Sequence, residues 1–239
     1  MFYYLLSTVL SFDGVLIVSA VIPAVILMVK VYQSDHLEKE SPELLWILVK
    51  AGILSALLAL VEERIFSYLL QLAVPYNSPM YQVILYFGVV AISEESSKYL
   101  FMRRRTWNNV EFNCQYDGVV YAVFVSLGFA LWENISYVLH YGFSVALIRA
   151  VTAIPGHASF GVFMGVFYGL AKRMENSGDH NKSVLYRVLS IVVPVVLHGA
   201  YDYIASTEGS NWVFVAFVVV LFAVSFWTVG KSSKADRVI

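Results

Sequence analysis

Charged residues are scarce in this sequence of 239 residues, and cysteine is nearly absent. Only 14% of the residues are charged, whereas 59% are hydrophobic, a share well above that of an ordinary soluble domain. The single cysteine, Cys114, excludes an internal disulfide, and since it lies in a polar loop we expect an exposed thiol without a chemical role. The net charge of −1, with no basic stripe, argues against nucleic acid as a partner. The composition predicts a polytopic protein of the lipid bilayer.

Long apolar runs take the place of the missing charges. A membrane-spanning helix needs about 20 mostly apolar residues. Seven segments reach that length, near 10–31, 44–71, 81–102, 117–140, 144–172, 185–205 and 212–230. The polar breaks between them are too short to hold a soluble domain. The sequence therefore predicts a single all-α integral membrane domain over residues 1–239, with about seven transmembrane helices.

The positive charges predict how this domain is oriented. With seven spans, all of the 16 Lys and Arg residues except Arg64 and Arg149 fall at one face of the membrane. The positive-inside rule assigns that face to the cytoplasm. We therefore expect the N-terminus to lie outside and the C-terminus to be cytoplasmic.

Two adjacent acids stand inside the third predicted span. An ionisable residue in hydrocarbon costs several kcal/mol unless it faces a protein interior or a watery cavity, so Glu94 and Glu95 mark a candidate functional site. On a helix, Lys98 lies one turn after Glu94 and can pair with it, whereas Glu95 points about 100° away and has no local partner. The structural alternative is a buried ion pair with a second carboxylate that reaches the membrane interface.

Two later spans carry histidines. His157 begins a series in which every fourth residue up to Gly169 is glycine, and small residues at this spacing let a neighbouring helix approach closely. In the sixth span, Asp202 follows His198 by one helical turn and can orient its imidazole, as carboxylates do for both catalytic and metal-bound histidines. Taken alone, the glycines indicate packing, and a lone histidine indicates a satisfied core residue.

The fourth span adds Glu133 and Asn134 deep inside an apolar helix. A straight-helix estimate puts Glu94 and His198 roughly 13–17 Å from the cytoplasmic ends, but His157 and Glu133 nearer 23 Å. These residues are not level. A tilt, a break near Pro155 or misplaced helix ends must close the gap, or Glu133 belongs to an outer layer of the site.

The second span repeats the acid pair at Glu62 and Glu63. Arg64 stands beside it, and no lysine follows one turn later. We expect a structural or access role for this pair, with Arg149 as a countercharge near the outer face.

Five separated motifs resemble, in order and spacing, those of the PrsW family of intramembrane proteases. The resemblance covers residues 94–203 and rests on Glu94-Glu95-Ser-Ser-Lys98, Asp117-Gly118-Val-Val-Tyr121-Ala122, Ser126-Leu-Gly128-Phe-Ala-Leu-Trp-Glu133-Asn134, Arg149-Ala150 followed by His157-Ala158, and His198-Gly199-Ala-Tyr201-Asp202-Tyr203. The family is similar to the CAAX prenyl proteases and to the non-proteolytic scaffold subunit of gamma-secretase.

The resemblance implies a multi-pass protein of the cell membrane that cleaves a single-span, membrane-anchored protein. For PrsW itself this substrate is an anti-sigma factor, cut on its extracytoplasmic side. By the same matching, the family's catalytic positions fall on Glu94, Glu95, His157 and His198. Supporting positions fall on Lys98, Glu133, Asn134 and Asp202.

Two hydrolytic mechanisms use these residues. In a metal-free mechanism, a glutamate deprotonates a water held between the acids and the histidines, and histidine donors stabilise the oxyanion. In a zinc mechanism, Glu95, His157 and His198 form a ligand set that leaves one position for water. The usual His-Glu-x-x-His spacing is absent, so a zinc site would need three helices, and we favour the metal-free mechanism.

Two alternatives are not hydrolytic. Intramembrane acids and histidines also build the proton relays of transporters, although the sequence shows neither an internal repeat nor paired broken helices. A non-catalytic scaffold would keep the polar residues for helix packing.

Overall fold

The computed structural model describes residues 12–239, without the side chains of residues 12, 13, 15, 16, 19, 143 and 146. This part of the chain is helical, with one isolated bridge between Cys114 and Val238. The helices are α1 (Phe12–Gln33), α2 (Pro42–Ala73), α3 (Pro79–Val83), π1 (Ile84–Val90, a π-helix), α4 (Ala91–Thr106), α5 (Asp117–Tyr141), α6 (Phe143–Val151), α7 (Ala153–Asn176), α8 (His180–Ser206) and α9 (Asn211–Lys234). The prediction of an all-α protein is confirmed.

Five described stretches are long and apolar enough to cross a membrane. They are Pro42–Ala73, Asp117–Tyr141, Leu147–Asn176, His180–Ser206 and Asn211–Lys234. The first predicted span overlaps the shorter apolar helix Ala20–Gln33, and π1 interrupts the third predicted span. Seven spans and the orientation of the termini stay predictions. The N-terminus and residues 10 and 11 of the first predicted span lie outside the described residues.

Capping residues set several helix ends. Ser41 Oγ accepts a hydrogen bond from Leu44 N at 3.2 Å at the start of α2, and Asp179 Oδ1 accepts one from Lys182 N at 3.1 Å at the start of α8. Gly142, with φ of 83°, ends α5 in a conformation that favours glycine. These signals keep the connections short.

Helix α5 is the centre of the fold, because residues 117–130 are all buried between α1, α2 and α7. Glycines bring the backbones into contact. A Cβ on Gly165 of α7 would lie 2.4 Å from Gly118 O, and one on Gly52 of α2 would lie 2.1 Å from Val125 O. The close approach predicted from the glycine series is confirmed, and the neighbouring helix is the one that carries Glu133.

The predicted span over 144–172 corresponds to the apolar stretch Leu147–Asn176, but its helix is interrupted at Thr152, with φ of −122° and ψ of −69°, close to the break expected near Pro155. Pro155 lies in the first turn of α7, where backbone N–H groups have no partner within the helix, so the proline removes no hydrogen bond. His157 consequently lies little more than one turn from the start of its helix.

The C-terminal tail covers the loop before α5. Gln115 N donates to Arg237 O at 3.0 Å, and Ile239 N donates to Asn113 O at 2.7 Å. The expectation of an exposed thiol is wrong, since Cys114 is only 1% exposed beneath this tail. Burial raises the pKa of the thiol to about 12.

Candidate active site

Four of the residues singled out in the sequence meet inside the helical bundle. Glu94 and Glu95 come from α4, His157 from α7 and His198 from α8, and all four are buried. One nitrogen or oxygen of each lies within 4.8 Å of the others. These residues are called the four-residue group below.

Lys98 contacts three members of this group. Its ammonium Nζ lies 3.1 Å from Glu94 Oε2, 2.7 Å from Glu95 Oε1 and 3.1 Å from His157 Nδ1. The side chain is fully buried, and Nζ sits 4.0 Å from the centre of the Phe129 ring. The expectation that Glu95 has no local partner is wrong, because the flexible lysine reaches it across three residues as well as Glu94 across four.

The contacts of His157 determine which of its nitrogens carries a proton. An ammonium group has no lone pair to offer, so Nδ1 must accept from Lys98 and carries no hydrogen. Nε2 then carries the proton and donates it to Glu133 Oε2 at 2.9 Å. Both nitrogens of this imidazole are therefore occupied.

Both nitrogens of His198 face carboxylates. Nδ1 lies 2.9 Å from Glu95 Oε1, and Nε2 lies 3.3 Å from Asp202 Oδ2. Carboxylate oxygens accept hydrogen bonds, so each nitrogen is placed to donate. The pairing of His198 with Asp202 expected from their spacing is present.

Glu133 connects His157 to a second layer of polar residues. Its Oε2 lies 2.9 Å from Arg149 Nη2, and Arg149 Nε donates to Asn134 Oδ1 at 3.0 Å. Asn134 is fully buried, and its Nδ2 donates to Ala20 O at 2.9 Å. Arg149 thus pairs with Glu133, and its prediction as the countercharge of the acid pair in the second span is wrong.

That acid pair is closer to the site than the sequence suggested. Glu62 Oε2 on α2 accepts a hydrogen bond at 3.2 Å from Ser97 Oγ on α4. Glu63 lines the same cavity as Glu94. The only signal in the sequence was a second pair of acids inside an apolar span. Its neighbour Arg64 is exposed and forms no ion pair within the described residues.

The cavity gives the group room for a reacting bond. It has a volume of about 280 Å³ and is lined on its polar side by Glu94, His157, His198, Glu133 and Asp202. The rest of the wall is formed by Glu63, Tyr86, Val90, Tyr137, Arg149, Ala153, Phe160 and Tyr201. Glu95 does not line it and is fully buried behind these residues.

A glycine next to His198 lets α8 pack closely against π1, the segment that precedes α4. A Cβ on Gly199 would lie 2.5 Å from the ring of Phe87 and 3.0 Å from its Cα, so only glycine lets α8 pack this closely against π1. π-Helical turns are uncommon and often occur at functional sites. The close approach next to His198 allows its contact with Glu95.

The four-residue group could hold a metal ion by its donor types, since two imidazoles and two carboxylates suit zinc. Glu95 Oε2 is also buried without a hydrogen-bond partner among the described residues. The arrangement nevertheless does not fit a metal, because Lys98 contacts three of the four residues and every imidazole nitrogen is already engaged.

Comparison with known proteins identifies the family. The chain matches the family model described as PrsW family intramembrane metalloprotease over residues 40–229. It is 30% identical to Protease PrsW of Shouchella clausii over 230 residues, which cover 92% of this chain and 97% of that protein. It is 30% identical to Protease PrsW of Oceanobacillus iheyensis over 217 residues, 90% of this chain and 95% of that protein. The Bacillus subtilis Protease PrsW is 40% identical over 147 residues, 61% of this chain and 64% of that protein. No solved structure matches the chain. With a match over most of its length, the chain belongs to the PrsW family of intramembrane proteases.

Proposed function

We propose that this chain, as a single membrane domain, cleaves a single-span, membrane-anchored regulatory protein of the anti-sigma-factor kind by means of a glutamate-activated water. The observation that carries the proposal is the buried cluster of acids and histidines beside a cavity inside the helical bundle. A carboxylate buried in an apolar bundle is costly, and burying several beside a cavity is typical of a functional site.

Glu94 is the general base in this mechanism. A base must lie within hydrogen-bond reach of the water that it deprotonates. Glu94 lines the cavity, whereas Glu95 is enclosed and bound to both Lys98 and His198. Glu95 is therefore a positioning residue, which holds His198 and the lysine in place.

His198 acts on the peptide carbonyl in this mechanism. When the water attacks, the carbonyl oxygen gains negative charge, and a donor aimed at it lowers the barrier by about 3 kcal/mol. His198 Nε2 is suited to this task because its 3.3 Å contact with Asp202 is long and lies at the cavity. Glu94 then passes its proton to the leaving amine, which completes the hydrolysis.

Glu133 and Arg149 keep His157 in one orientation. The ion pair at 2.9 Å fixes Glu133, and Glu133 in turn accepts the Nε2 proton of His157. Asn134 anchors Arg149 to α1 through Ala20 O. These three residues are positioning residues, in accordance with their place in the supporting motifs.

The test is cleavage in cells. The full chain is coexpressed with a panel of single-span membrane proteins, including anti-sigma factors, and products are detected as gel shifts. Glu94→Gln and Glu95→Gln should each abolish a product seen with the wild type, while Glu62→Gln, an acid on a neighbouring helix that does not line the cavity, should retain it. Cleavage that survives in both of the first two variants contradicts the proposed chemistry.

A zinc-dependent version of the same hydrolysis has two observations in its favour. The family model carries the word metalloprotease, and the four-residue group has the donor types of a zinc site. Loss of cleavage on treatment with a zinc chelator, restored by zinc, would support this version. The match to a protease family supports neither a proton transporter nor a non-catalytic scaffold.

A further inference from the structure

We propose that the Lys98 ammonium is the resident cation of the four-residue group, and that it excludes a divalent metal ion from this group. The metal-bound and the lysine-bound arrangements are then mutually exclusive. The inference concerns the ion cluster, so it is independent of the proposed metal-free cleavage, but it excludes the zinc-dependent version.

Three acceptor atoms surround the ammonium nitrogen of Lys98. An ammonium group has three N–H donors, and here three acceptors stand around it: Glu94 Oε2, Glu95 Oε1 and His157 Nδ1. The ammonium thus holds the same donor atoms that a metal ion would need, with all of its own hydrogen bonds satisfied.

Both imidazole nitrogens of His157 are already used. His157 Nδ1 has a single lone pair, which either Lys98 or a metal ion can use, but not both. Its Nε2 carries the proton donated to Glu133. In this arrangement neither nitrogen of His157 is available to a metal while Lys98 stays in place.

The buried positive charge of Lys98 also opposes a divalent cation. Lys98 is fully buried, and its charge already offsets that of one of the two adjacent acids. A divalent ion beside it would place like charges within a few ångströms in an apolar interior, where Coulomb repulsion is strong. Withdrawal of the lysine from these acceptors would leave its charge buried without partners, since the residue is fully buried and its Nζ lies over the Phe129 ring.

The experiment measures zinc in the purified full-length chain in detergent, with Zn²⁺ alone as the probe and without any substrate. Zinc content is determined by elemental analysis after dialysis against buffered zinc, and the Kd by competition with a chromophoric chelator. The variants are Lys98→Met, which removes the charge and keeps the length, and Lys172→Met, a matched change at a lysine whose Nζ donates to Trp107 O outside the group.

We expect the wild type and Lys172→Met to hold almost no zinc. Lys98→Met should hold about one zinc per chain, as a structural or catalytic site does, with an affinity at least about 100-fold higher than that of the wild type. Adding His157→Ala to Lys98→Met should remove the zinc, which would place it in the four-residue group.

Two results would overturn the proposal. One is a wild type that binds zinc with a Kd below about 1 μM and loses it in His157→Ala. The other is a folded Lys98→Met that gains no affinity. If Lys98→Met does not fold, Lys98→Gln takes its place in the comparison, and if neither variant folds the wild-type Kd alone decides.

Discussion

Glu40 is the residue whose replacement should stabilise the chain most clearly. It lies in the loop between α1 and α2 and is only 5% exposed, and its Oε2 has no hydrogen-bond partner among the described residues. Burial, with the nearby carboxylates of Asp117, Glu111 and Asp35, raises the pKa of Glu40 from 4.5 to about 9, and the neighbouring hydroxyl of Tyr121 opposes the shift. We expect Glu40→Gln to raise the thermal midpoint at pH 8.

The sign follows from proton linkage. The folded chain binds the Glu40 proton more tightly than the unfolded chain does, so the free energy of unfolding falls as the pH rises from 4.5 towards about 9. Each pH unit in this window costs up to about 1.4 kcal/mol, so the upper bound between pH 4.5 and pH 8 is about 5 kcal/mol. Solvent near the loop screens part of this cost. We therefore expect the variant to raise the free energy of unfolding at pH 8 by about 2 kcal/mol, which raises the thermal midpoint by about 4–8 °C.

The assay is thermal unfolding in detergent, followed by tryptophan fluorescence at pH 5 and pH 8. At pH 5 the wild-type carboxyl is protonated in the folded chain, and pH 5 lies only half a unit above the pKa of 4.5 in the unfolded chain, so most of the gain should vanish. Glu38→Gln, at an exposed acid of the same loop that accepts a hydrogen bond from Asn113, is the control and should show no such pH-dependent gain. An equal gain from Glu40→Gln at both pH values, or a loss at pH 8, would refute the reasoning.

Three other outcomes are expected. The buried Cys114 thiol, whose pKa burial raises to about 12, should react with a maleimide only as the chain unfolds, so rapid labelling of the native protein at pH 8 would contradict it. Gly165→Ala should lower the thermal midpoint by several degrees, because its Cβ would lie 2.4 Å from the backbone of α5, whereas Gly230→Ala meets nothing within 4 Å and should not lower it. Asp202→Asn should slow cleavage by about 10–100-fold, because the imidazole of His198 loses the carboxylate that orients it, and an unchanged rate would remove Asp202 from the site.

Much of the candidate site could be located from the sequence, because ionisable residues are rare in apolar spans and each one requires a reason. Glu94, Glu95, His157 and His198 were singled out on that ground, and they meet within 4.8 Å in the structure. The pairing of His198 with Asp202 could also be predicted, since one helical turn fixes their separation. Their roles in catalysis stay predictions.

Side-chain contacts between different helices could not be predicted from the spacing of residues in the sequence. The spacing rule pairs Lys98 with Glu94, but it does not show that a long, flexible lysine also reaches Glu95 and a histidine from another helix. Arg149 was assigned to the wrong acid for the same reason, because depth in the membrane does not distinguish Glu133 on α5 from acids on α2. Sequence spacing fixes neighbours on one helix only.

The straight-helix estimate placed His157 at a different depth from the acids, because it did not include the start of α7. A continuous helix over 144–172 would carry His157 along one straight axis, about 1.5 Å further per residue from the cytoplasmic end. The helix is instead interrupted at Thr152, and Pro155 fits the first turn of α7 without loss of a hydrogen bond. The glycine face of α7 packs on α5, and this packing brings His157 between Glu133 and Lys98. A substitution that widened this glycine contact would therefore damage the site without touching any of its polar residues.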